Sequence, residues 1–379
     1  MDFKLSEEQQ LTRKMVREFA ESEVEPIAAE IDKNKRFPVE TVARLKELDL
    51  LGVPFPQKYG GAGADGLSFA IVVEELSRAC ASTGGIVSTH TALGTHPIFQ
   101  WGTEEQKMKY MVPLASGEAL GAFCLTEPAA GTDAAAVQTT AVLKGDKYIL
   151  NGTKIFITNG GRADFYIVMA MTEKGKGTKG ISAFIVEKSF PGFRVGQLEE
   201  KMGINASETR EIIFRDCEVP RENLLAEEGA GFKIAMNGLD FGRVGIGSQA
   251  LGIAQAALEA SITYSMERQQ FGRPISSFQG LQWMMADMAT RVQAARHMVY
   301  HAAWTKDSGA RYSMEAAMAK LYASETAMWT TTKAVQIYGG HGYTKSYPVE
   351  RYMRDAKITE IYEGTNEVQR MVISAAILK

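Results

Sequence analysis

Cysteine and long apolar runs are scarce in this 379-residue chain. Its three cysteines, Cys80, Cys124 and Cys217, are widely spaced, with neither a CxxC pair nor a nearby histidine. A disulfide framework or a zinc site is therefore not expected, and all three thiols are predicted to be buried. No apolar run reaches the roughly 18 residues of a membrane span, and the first residues do not resemble a signal peptide. The sequence therefore predicts a soluble, cytoplasmic protein with no membrane partner.

Charge of one sign is not in excess either. The chain has 42 Lys and Arg residues against 45 Asp and Glu residues, which gives a net charge of −3. Without a basic field, nucleic acid is not an expected partner. None of the five histidines falls in a metal-ligand pattern, so no metal is predicted. Walker A, GxSxG and HExxH motifs are missing as well.

One apparent nucleotide motif is discounted. Residues 61–66 fit G-x-G-x-x-G, and a helix is predicted to follow them. The preceding residues 54–59, Pro-Phe-Pro-Gln-Lys-Tyr, cannot form the buried central strand that a dinucleotide fold needs. We therefore interpret residues 61–66 as a flexible loop.

The spacing of apolar residues changes twice along the chain. A helical period up to about residue 120 gives way to short β-branched and aromatic runs, and long Ala- and Met-rich helices follow from about residue 229. This order predicts an α+β protein with a helical domain at 1–120, an antiparallel β domain at 121–228 and a helical domain at 229–379. The predicted strands are 139–143, 147–150, 165–170, 181–186 and 211–214, and the predicted long helices are 246–266, 281–307 and 313–338.

The most informative segment is 361–367, Ile-Tyr-Glu-Gly-Thr-Asn-Glu, which precedes the last predicted helix. Its carboxylate, Glu363, stands between an apolar pair and Gly364. Poor solvation beside Ile361 and Tyr362 would raise the pKa of this carboxyl toward the range of a general base. Asn366 and Gln369 are spaced as a capping box for the helix. The alternative is an ordinary exposed loop glutamate.

Four further segments have residues suited to ligand binding, and each also has a purely structural interpretation. Residues 125–133 form a Pro and Gly turn rich in hydroxyls, and 151–161 place Phe156 and Thr158 two residues apart on a predicted strand. Residues 268–274 set two arginines around Phe271, a pattern suited to phosphate binding and ring stacking. Residues 336–343 end a helix in glycines, which is equally typical of a helix cap.

Together these five segments resemble those of the acyl-CoA dehydrogenases, flavoenzymes that desaturate acyl-CoA thioesters, and in particular the short-chain (butyryl-CoA) type. The resemblance extends nearly end to end. It implies a middle β-barrel, a C-terminal four-helix bundle, FAD between the domains and usually a homotetramer. It also implies dehydrogenation of short straight-chain acyl-CoA to trans-2-enoyl-CoA, with electrons passed to an electron-transferring flavoprotein.

The resemblance assigns roles to individual residues. Glu363 matches the catalytic base, and the acyl-CoA would contact Thr132, Asp240, Arg243 and Gly364. The flavin ring would lie against residues of two segments of the β domain, with the last loop beside it. These cofactor contacts are Phe123, Leu125, Thr126, Gly131, Thr132, Phe156, Ile157, Thr158, Thr365, Asn366 and Glu367. The pyrophosphate and adenine would be held by a neighbouring subunit through Arg268, Phe271, Gln279, Gln336, Ile337, Gly339 and Gly340.

Two positions depart from parts of the family pattern. Phe156 stands where many members have tryptophan, and Gly242 lies in the segment where isovaleryl-type members have their base. With Glu363 present, the second departure favours straight short chains. Two alternatives stay open at this point, an acyl-CoA oxidase that uses oxygen and a non-catalytic acyl-CoA-binding scaffold.

Overall fold

The computed structural model describes residues 4–378. Residues 1–3 and 379, at the ends of the predicted domains 1–120 and 229–379, lie outside this range. Helices form both ends of the chain and a β-sheet forms the middle, as predicted. Among residues 4–378, no helix is both long and apolar enough to cross a membrane. The three cysteines are buried with free thiols, which confirms their predicted burial.

The N-terminal part is helical from Glu7 to Ala115. Its helices are α1 (Glu7–Phe19), α2 (Glu25–Lys33), α3 (Val39–Glu47), α4 (Gly66–Ala79), α5 (Ala81–Ser88), α6 (His96–Trp101), α7 (Glu104–Gln106) and α8 (Val112–Ala115), with π-helical turns at Ala20–Val24, Thr89–Thr95 and Lys107–Met111. A capping box formed by Ser6 and Gln9 starts α1. The discounted glycine motif lies in a loop that ends at Asp65, which caps α4, and only a short 3₁₀ turn, Gln57–Tyr59, precedes it.

The middle part is one sheet of eight strands. They are β1 (Gly121–Cys124), β2 (Thr140–Lys144), β3 (Lys147–Thr158), β4 (Phe165–Met171), β5 (Ile181–Glu187), β6 (Phe193–Leu198), β7 (Thr209–Pro220) and β8 (Leu224–Leu225). The order is β6-β7-β3-β2-β4-β5-β8, with β1 beside β4. The prediction of a purely antiparallel sheet is wrong for β4, which pairs in parallel with β1 and, through Met171 and Thr140, with β2. Closure of the sheet into a barrel is not among the described pairings and stays a prediction.

The C-terminal part contains the long helices. They are α9 (Gly231–Glu267), α10 (Gln279–Asp307), α11 (Ser313–Tyr338), α12 (Val349–Thr359) and α13 (Asn366–Ile377), and a small hairpin of β9 (Gln269–Gln270) and β10 (Arg273–Pro274) follows α9. Several glycines let α9 approach its neighbours closely. At Gly252, a Cβ would lie 2.3 Å from the Glu74 carbonyl oxygen of α4. Predicting a helix only from residue 246 missed the glycine-rich first four turns.

A buried ionic cluster joins the N- and C-terminal helices. Glu74 and Glu75 of α4 are almost fully buried. Arg296 of α10 donates to Glu74 at 2.8 Å, and Arg17 of α1 donates to Glu75 at 2.9 Å. Because buried charges are tolerated only when paired, this cluster fixes how α1, α4 and α10 pack. Helix α9 packs against this assembly, and its middle therefore has a fixed position beside the last loop.

Candidate active site

The loop between α12 and α13 holds Glu363 in an unusual backbone conformation. Glu363 has a φ of 53°, in the left-handed region that a residue with a side chain rarely adopts, and Gly364 has a φ of 93°. Two side chains bind the carbonyl oxygen of Gly364: Lys320 Nζ and Gln369 Nε2 each donate to it at 2.8 Å. Such strain persists only where the surroundings enforce it, so the direction of the Glu363 side chain is set by the loop.

The start of α13 differs from the prediction. Thr365 is the cap, and its side chain accepts a hydrogen bond from the Val368 backbone N–H. The capping box predicted for Asn366 and Gln369 is therefore wrong by one residue. The Asn366 side chain is buried and accepts hydrogen bonds from Lys320 and Ser324 of α11. Asn366 thus fastens the loop to α11.

The Glu363 carboxylate lies directly over Gly242 in the middle of α9. A Cβ at position 242 would be 2.0 Å from Glu363 Oε2 and 3.2 Å from Leu93 Cδ2. Only glycine leaves the carboxylate room here. Oε2 is fully buried and has no hydrogen-bond partner among the described residues. A buried carboxylate oxygen without a donor is costly, which is typical of a functional group that awaits a ligand.

Burial dominates the electrostatics of Glu363. It raises the pKa of this carboxyl to about 8, against the opposing effect of the cations Lys320 and Arg243. Burial also lowers the pKa of Lys320 to about 7, although Glu363 acts in the other direction. A carboxylate with a pKa in this range accepts a proton readily near neutral pH. The predicted raised pKa of Glu363 agrees with this geometry.

The predicted substrate residues Asp240 and Arg243 lie on α9, on either side of Gly242. Arg243 is 5% exposed and donates from Nη1 to Asp240 Oδ1 at 2.7 Å. Asp240 Oδ2 also accepts from Ser313 Oγ at 2.5 Å. The Arg243 Nε is buried without a partner among the described residues. The structure thus brings Asp240, Arg243, Glu363 and Gly364 together, whereas the predicted residue Thr132 is exposed on the β domain.

The two predicted ring-binding segments of the β domain lie side by side. Backbone Ile155 donates to the carbonyl of Thr126 at 3.0 Å. Phe123 and Leu125 are buried, and Thr126 and Thr158 are half-buried. The other predicted residues of these segments are placed as follows: Ile157 is buried, and Gly131 and Thr132 are exposed.

A β-bulge displays Phe156. The pairing of β3 with β7 shifts between Lys154 and Ile157, and Phe156 has a φ of 58° within this bulge. Lys154 is fully buried, yet Phe156, two residues on, is 59% exposed. The simple alternation that would place Phe156 and Thr158 on one face therefore breaks here. Bulges commonly re-aim a side chain in this way, and the exposed ring offers a flat apolar surface.

Beneath this surface lies a buried ion pair that the sequence analysis did not single out. Lys154 Nζ donates to Glu127 Oε1 at 2.6 Å and to the carbonyl oxygen of Leu125 at 3.1 Å. Glu127 also accepts from the backbone N–H groups of Gln138 and Thr139. The pair joins the two segments from within. Nothing in the local sequence distinguishes Lys154 from a surface lysine.

Of the remaining predicted cofactor residues, Glu367 is exposed in the first turn of α13. The others gather at the end of α9 that is distant from Gly242. Arg268 follows α9, Gln279 begins α10, and residues 336–340 end α11. Stacked rings of Tyr264 and Tyr338, 3.9 Å apart, hold the ends of α9 and α11 together. Arg268, Phe271, Gln279, Gln336, Gly339 and Gly340 are exposed, and Ile337 is buried. With a rise of about 1.5 Å per residue, Arg268 lies roughly 39 Å from Gly242 along α9.

The two groups of predicted residues near Glu363 and on the β domain meet through the π-helical turn Thr89–Thr95. Leu93 contacts the Glu363 site, as described above. At the adjacent Gly94, a Cβ would lie 2.8 Å from the backbone of Gly121, where β1 begins. The turn Thr89–Thr95 therefore contacts both the surroundings of Glu363 and the start of the β domain.

Comparison with known proteins identifies the family. Sequence models for the N-terminal, middle and C-terminal domains of acyl-CoA dehydrogenase match residues 6–118, 122–217 and 229–378. The chain belongs to the acyl-CoA dehydrogenase family. Among similar relatives, a protein named "Acyl-CoA dehydrogenase, short-chain specific" from Clostridium acetobutylicum is 59% identical over 379 residues, covering 100% of both chains.

Two solved structures have nearly the same fold. Butyryl-CoA dehydrogenase from Megasphaera elsdenii has a TM-score of 0.99 and is 51% identical, with 100% of both chains covered. A chain from work on the electron transferring flavoprotein of Acidaminococcus fermentans also has a TM-score of 0.99 and is 58% identical, again with full coverage of both. The chain therefore matches acyl-CoA dehydrogenases in its three-part architecture, and the match covers its full length.

Replacing Glu363 by glutamine should stabilise the protein more as the pH rises. The carboxyl titrates near 4.5 when solvated and at about 8 when folded. Between these values the unfolded state ionises and the folded state stays protonated, so wild-type Glu363 lowers the free energy of unfolding with increasing pH, levelling off above the folded pKa. Glu363→Gln should therefore be more stable by roughly 1–4 kcal/mol near pH 8 and equal to the parent near pH 4.

Thermal unfolding of the parent and variant across this pH range measures the difference. Glu118→Gln, which removes an exposed carboxylate, is the control and should show no such trend. A Glu363→Gln effect that is the same at every pH would contradict the raised pKa.

Proposed function

We propose that this chain is an FAD-dependent acyl-CoA dehydrogenase that converts short straight-chain acyl-CoA thioesters to trans-2-enoyl-CoA. The observation that carries the proposal is the desolvated Glu363 carboxylate, held over Gly242 with a free, buried oxygen. The names of the similar proteins, short-chain acyl-CoA dehydrogenase and butyryl-CoA dehydrogenase, support the substrate class. Domains at 1–120, 121–228 and 229–379 would enclose the site, with the middle sheet closing into a barrel and the last helices forming a four-helix bundle.

The residues present fit FAD. Phe156 offers an exposed ring on a bulge, and Thr126 and Thr158 offer half-buried hydroxyls beside it. At Gly131, Gly339 and Gly340 a Cβ would meet no atom of the described chain within 4 Å, so these glycines are not needed for packing within the chain. At Gly131 and Gly340 there is room for an outside group to approach the backbone closely, whereas the φ of 58° at Gly339 favours glycine by itself. When bound, FAD supplies the acceptor for a hydride from the β carbon of the substrate.

The protein's own contribution is proton removal and alignment. Glu363 Oε2 would take the α proton of the thioester, because it is buried, unpartnered and raised in pKa. The backbone N–H of Glu363 donates to no acceptor within residues 4–378. It is therefore available to the thioester carbonyl oxygen, where negative charge develops as the proton leaves. Arg243 and Asp240, fixed to each other beside Gly242, would position the acyl-CoA.

Glycine at position 242 supports straight-chain over isovaleryl-type chemistry. In isovaleryl-type members this segment provides the base, but here its space is filled by Glu363. The base therefore approaches from the loop. Short chains are the class named for the similar proteins.

Loss of the base should abolish turnover while preserving binding. Removing a general base typically costs about 10²–10⁴-fold in rate, so Glu363→Gln should bind flavin and butyryl-CoA but lose turnover by this factor. Anaerobic addition of butyryl-CoA should bleach the flavin of the parent and leave that of Glu363→Gln yellow. Retention of more than half of the parent activity would assign the base elsewhere, with Glu367 the next candidate.

The proposed electron acceptor is an electron-transferring flavoprotein. Support comes from the similar chain studied with such a protein. With butyryl-CoA and each acceptor in turn, enoyl-CoA should form rapidly over many turnovers only with the flavoprotein. Fast turnover with oxygen and stoichiometric peroxide would instead identify an acyl-CoA oxidase, and NAD alone should give none. A protein that stays colourless with added FAD would be a non-catalytic acyl-CoA-binding scaffold.

The distant cluster around Arg268 supports a homotetramer with shared cofactor sites. About 39 Å along α9 is longer than a dinucleotide extends, so these residues would serve the FAD of a neighbouring subunit. Phe271 is 93% exposed at the tip of the β9–β10 hairpin, where solvent is unfavourable for a ring. A neighbouring subunit with its cofactor would cover it.

Arg268→Ala should weaken FAD retention and loosen the oligomer together. A charge-assisted phosphate contact of about 1.5–3 kcal/mol would be lost. Flavin absorbance after gel filtration, with the mass from light scattering, measures both. Arg311→Ala, an exposed arginine in the loop between α10 and α11, is the control. Full flavin occupancy in a stable Arg268→Ala monomer would refute the shared site.

A further inference from the structure

A lysine with an unusual environment lies behind the base loop. Lys320 of α11 is fully buried, surrounded in sequence by the buried alanines 316, 317, 319 and 323. Its Nζ donates to the carbonyl oxygen of Gly364 at 2.8 Å and to Asn366 Oδ1 at 3.1 Å. Both acceptors are uncharged. Burying an ammonium costs several kcal/mol unless an opposite charge and hydrogen bonds compensate for its lost hydration.

The two acceptors show what the lysine holds. Gly364 is part of the left-handed turn that aims Glu363, and Asn366 follows this turn. Lys320 ties both residues to one point on α11. Ser324, one turn further along α11, donates to the same Asn366 oxygen at 2.9 Å. The loop is therefore fixed by two donors from one helix, of which only Lys320 carries charge and only Lys320 reaches Gly364.

We propose that Lys320 is a positioning residue for the base, holding the Glu363 loop against α11 and keeping the carboxylate ionisable while substrate binds. This inference rests on the proposed function, because it assumes that Glu363 removes a proton. It assigns Lys320 no contact with substrate or cofactor. Its action is through the loop backbone and through its charge.

The charges around this pair come from each neighbouring element. Lys320 faces Glu363, which favours its ammonium form, and Arg243 of α9, which opposes it. More distant carboxylates, Glu360 and Glu367, also favour its charge. On Glu363 the two cations Lys320 and Arg243 both lower the pKa, with Lys320 the larger of the two. Removing Lys320 therefore leaves Glu363 with Arg243 alone, already bound to Asp240.

The test compares Lys320→Met with Ser324→Ala. Each loses one donor to Asn366, but only Lys320→Met also loses the charge and the hydrogen bond to Gly364. In Lys320→Met the acid limb of the kcat/KM profile should move to higher pH by roughly 1 unit, because the opposing charge on Glu363 is removed. Its kcat should fall more than its KM rises, since the base is misaligned after binding. Ser324→Ala should keep the parent limb.

A second readout does not depend on turnover. A pH-difference infrared titration, assigned with Glu363→Gln, reports the Glu363 carboxyl directly, and its midpoint should rise in Lys320→Met. This readout separates the proposed function from the proposed role of Lys320. An inactive parent enzyme would contradict the function, and the infrared midpoint would still test whether Lys320 acts on Glu363. Lys201→Met is the control for loss of a half-buried lysine elsewhere in the protein. Lys201 Nζ donates to the Ser207 carbonyl oxygen at 2.8 Å, and neither residue belongs to the Glu363 loop.

Unchanged pH limb and carboxyl midpoint in a folded, flavin-loaded Lys320→Met would overturn the proposal. If that variant does not fold, Lys320→Gln, which keeps a neutral donor one bond shorter than the lysine, decides by the same two readouts. Failure of both to fold would also overturn it, because the lysine would then serve the fold instead of the base.

Discussion

The arrangement of the candidate site depends on the contact between Glu363 and Gly242. A carboxylate can be this poorly solvated only if a helix presents a bare backbone to it and if cations stand close without binding its free oxygen. The first condition is met by one glycine in α9. The second is met by Arg243, engaged with Asp240, and Lys320, engaged with the loop. Each cation is near enough to act on the carboxylate, yet both have other partners.

The rest of the fold makes this contact reproducible. Helix α9 is held by close backbone packing at Gly252 and by the buried ions of α4 and α10. The loop that carries Glu363 is held at both ends, by α12 before it and by Thr365, which caps α13 after it. The β domain is joined to this assembly where Gly94 meets Gly121. The position of the Glu363 carboxylate thus depends on α9, on its own loop and, through the turn at Gly94, on the β domain.

Sequence patterns predicted those features that depend on neighbours along the chain. The helix at 313–338 was predicted to the residue, because its apolar period and its glycine end are both local. The loop position and raised pKa of Glu363 were predicted for the same reason. The start of α9 was missed because glycine is a poor helix former, and here its value lies in contacts with distant segments. The parallel pairing of β1 with β4 was missed because such pairing has no signature within the strand itself.

The hairpin after α9 and the buried lysines show a different limit. Phe271 and Gly272 both have positive φ, a turn usually announced by asparagine or aspartate. Because phenylalanine stands at this position, the sequence did not predict the turn. Lys154 and Lys320 resemble ordinary surface lysines in sequence, because their acceptors, which include the Glu127 carboxylate and the Asn366 amide, are distant along the chain.

The bare position at Gly242 also constrains how this enzyme type can change over generations. A base cannot be added at 242 while Glu363 remains, because both side chains would need the same volume. A carboxylate at 242 and the one at 363 therefore exclude each other within one chain. Exchanging one placement for the other requires both positions to change together.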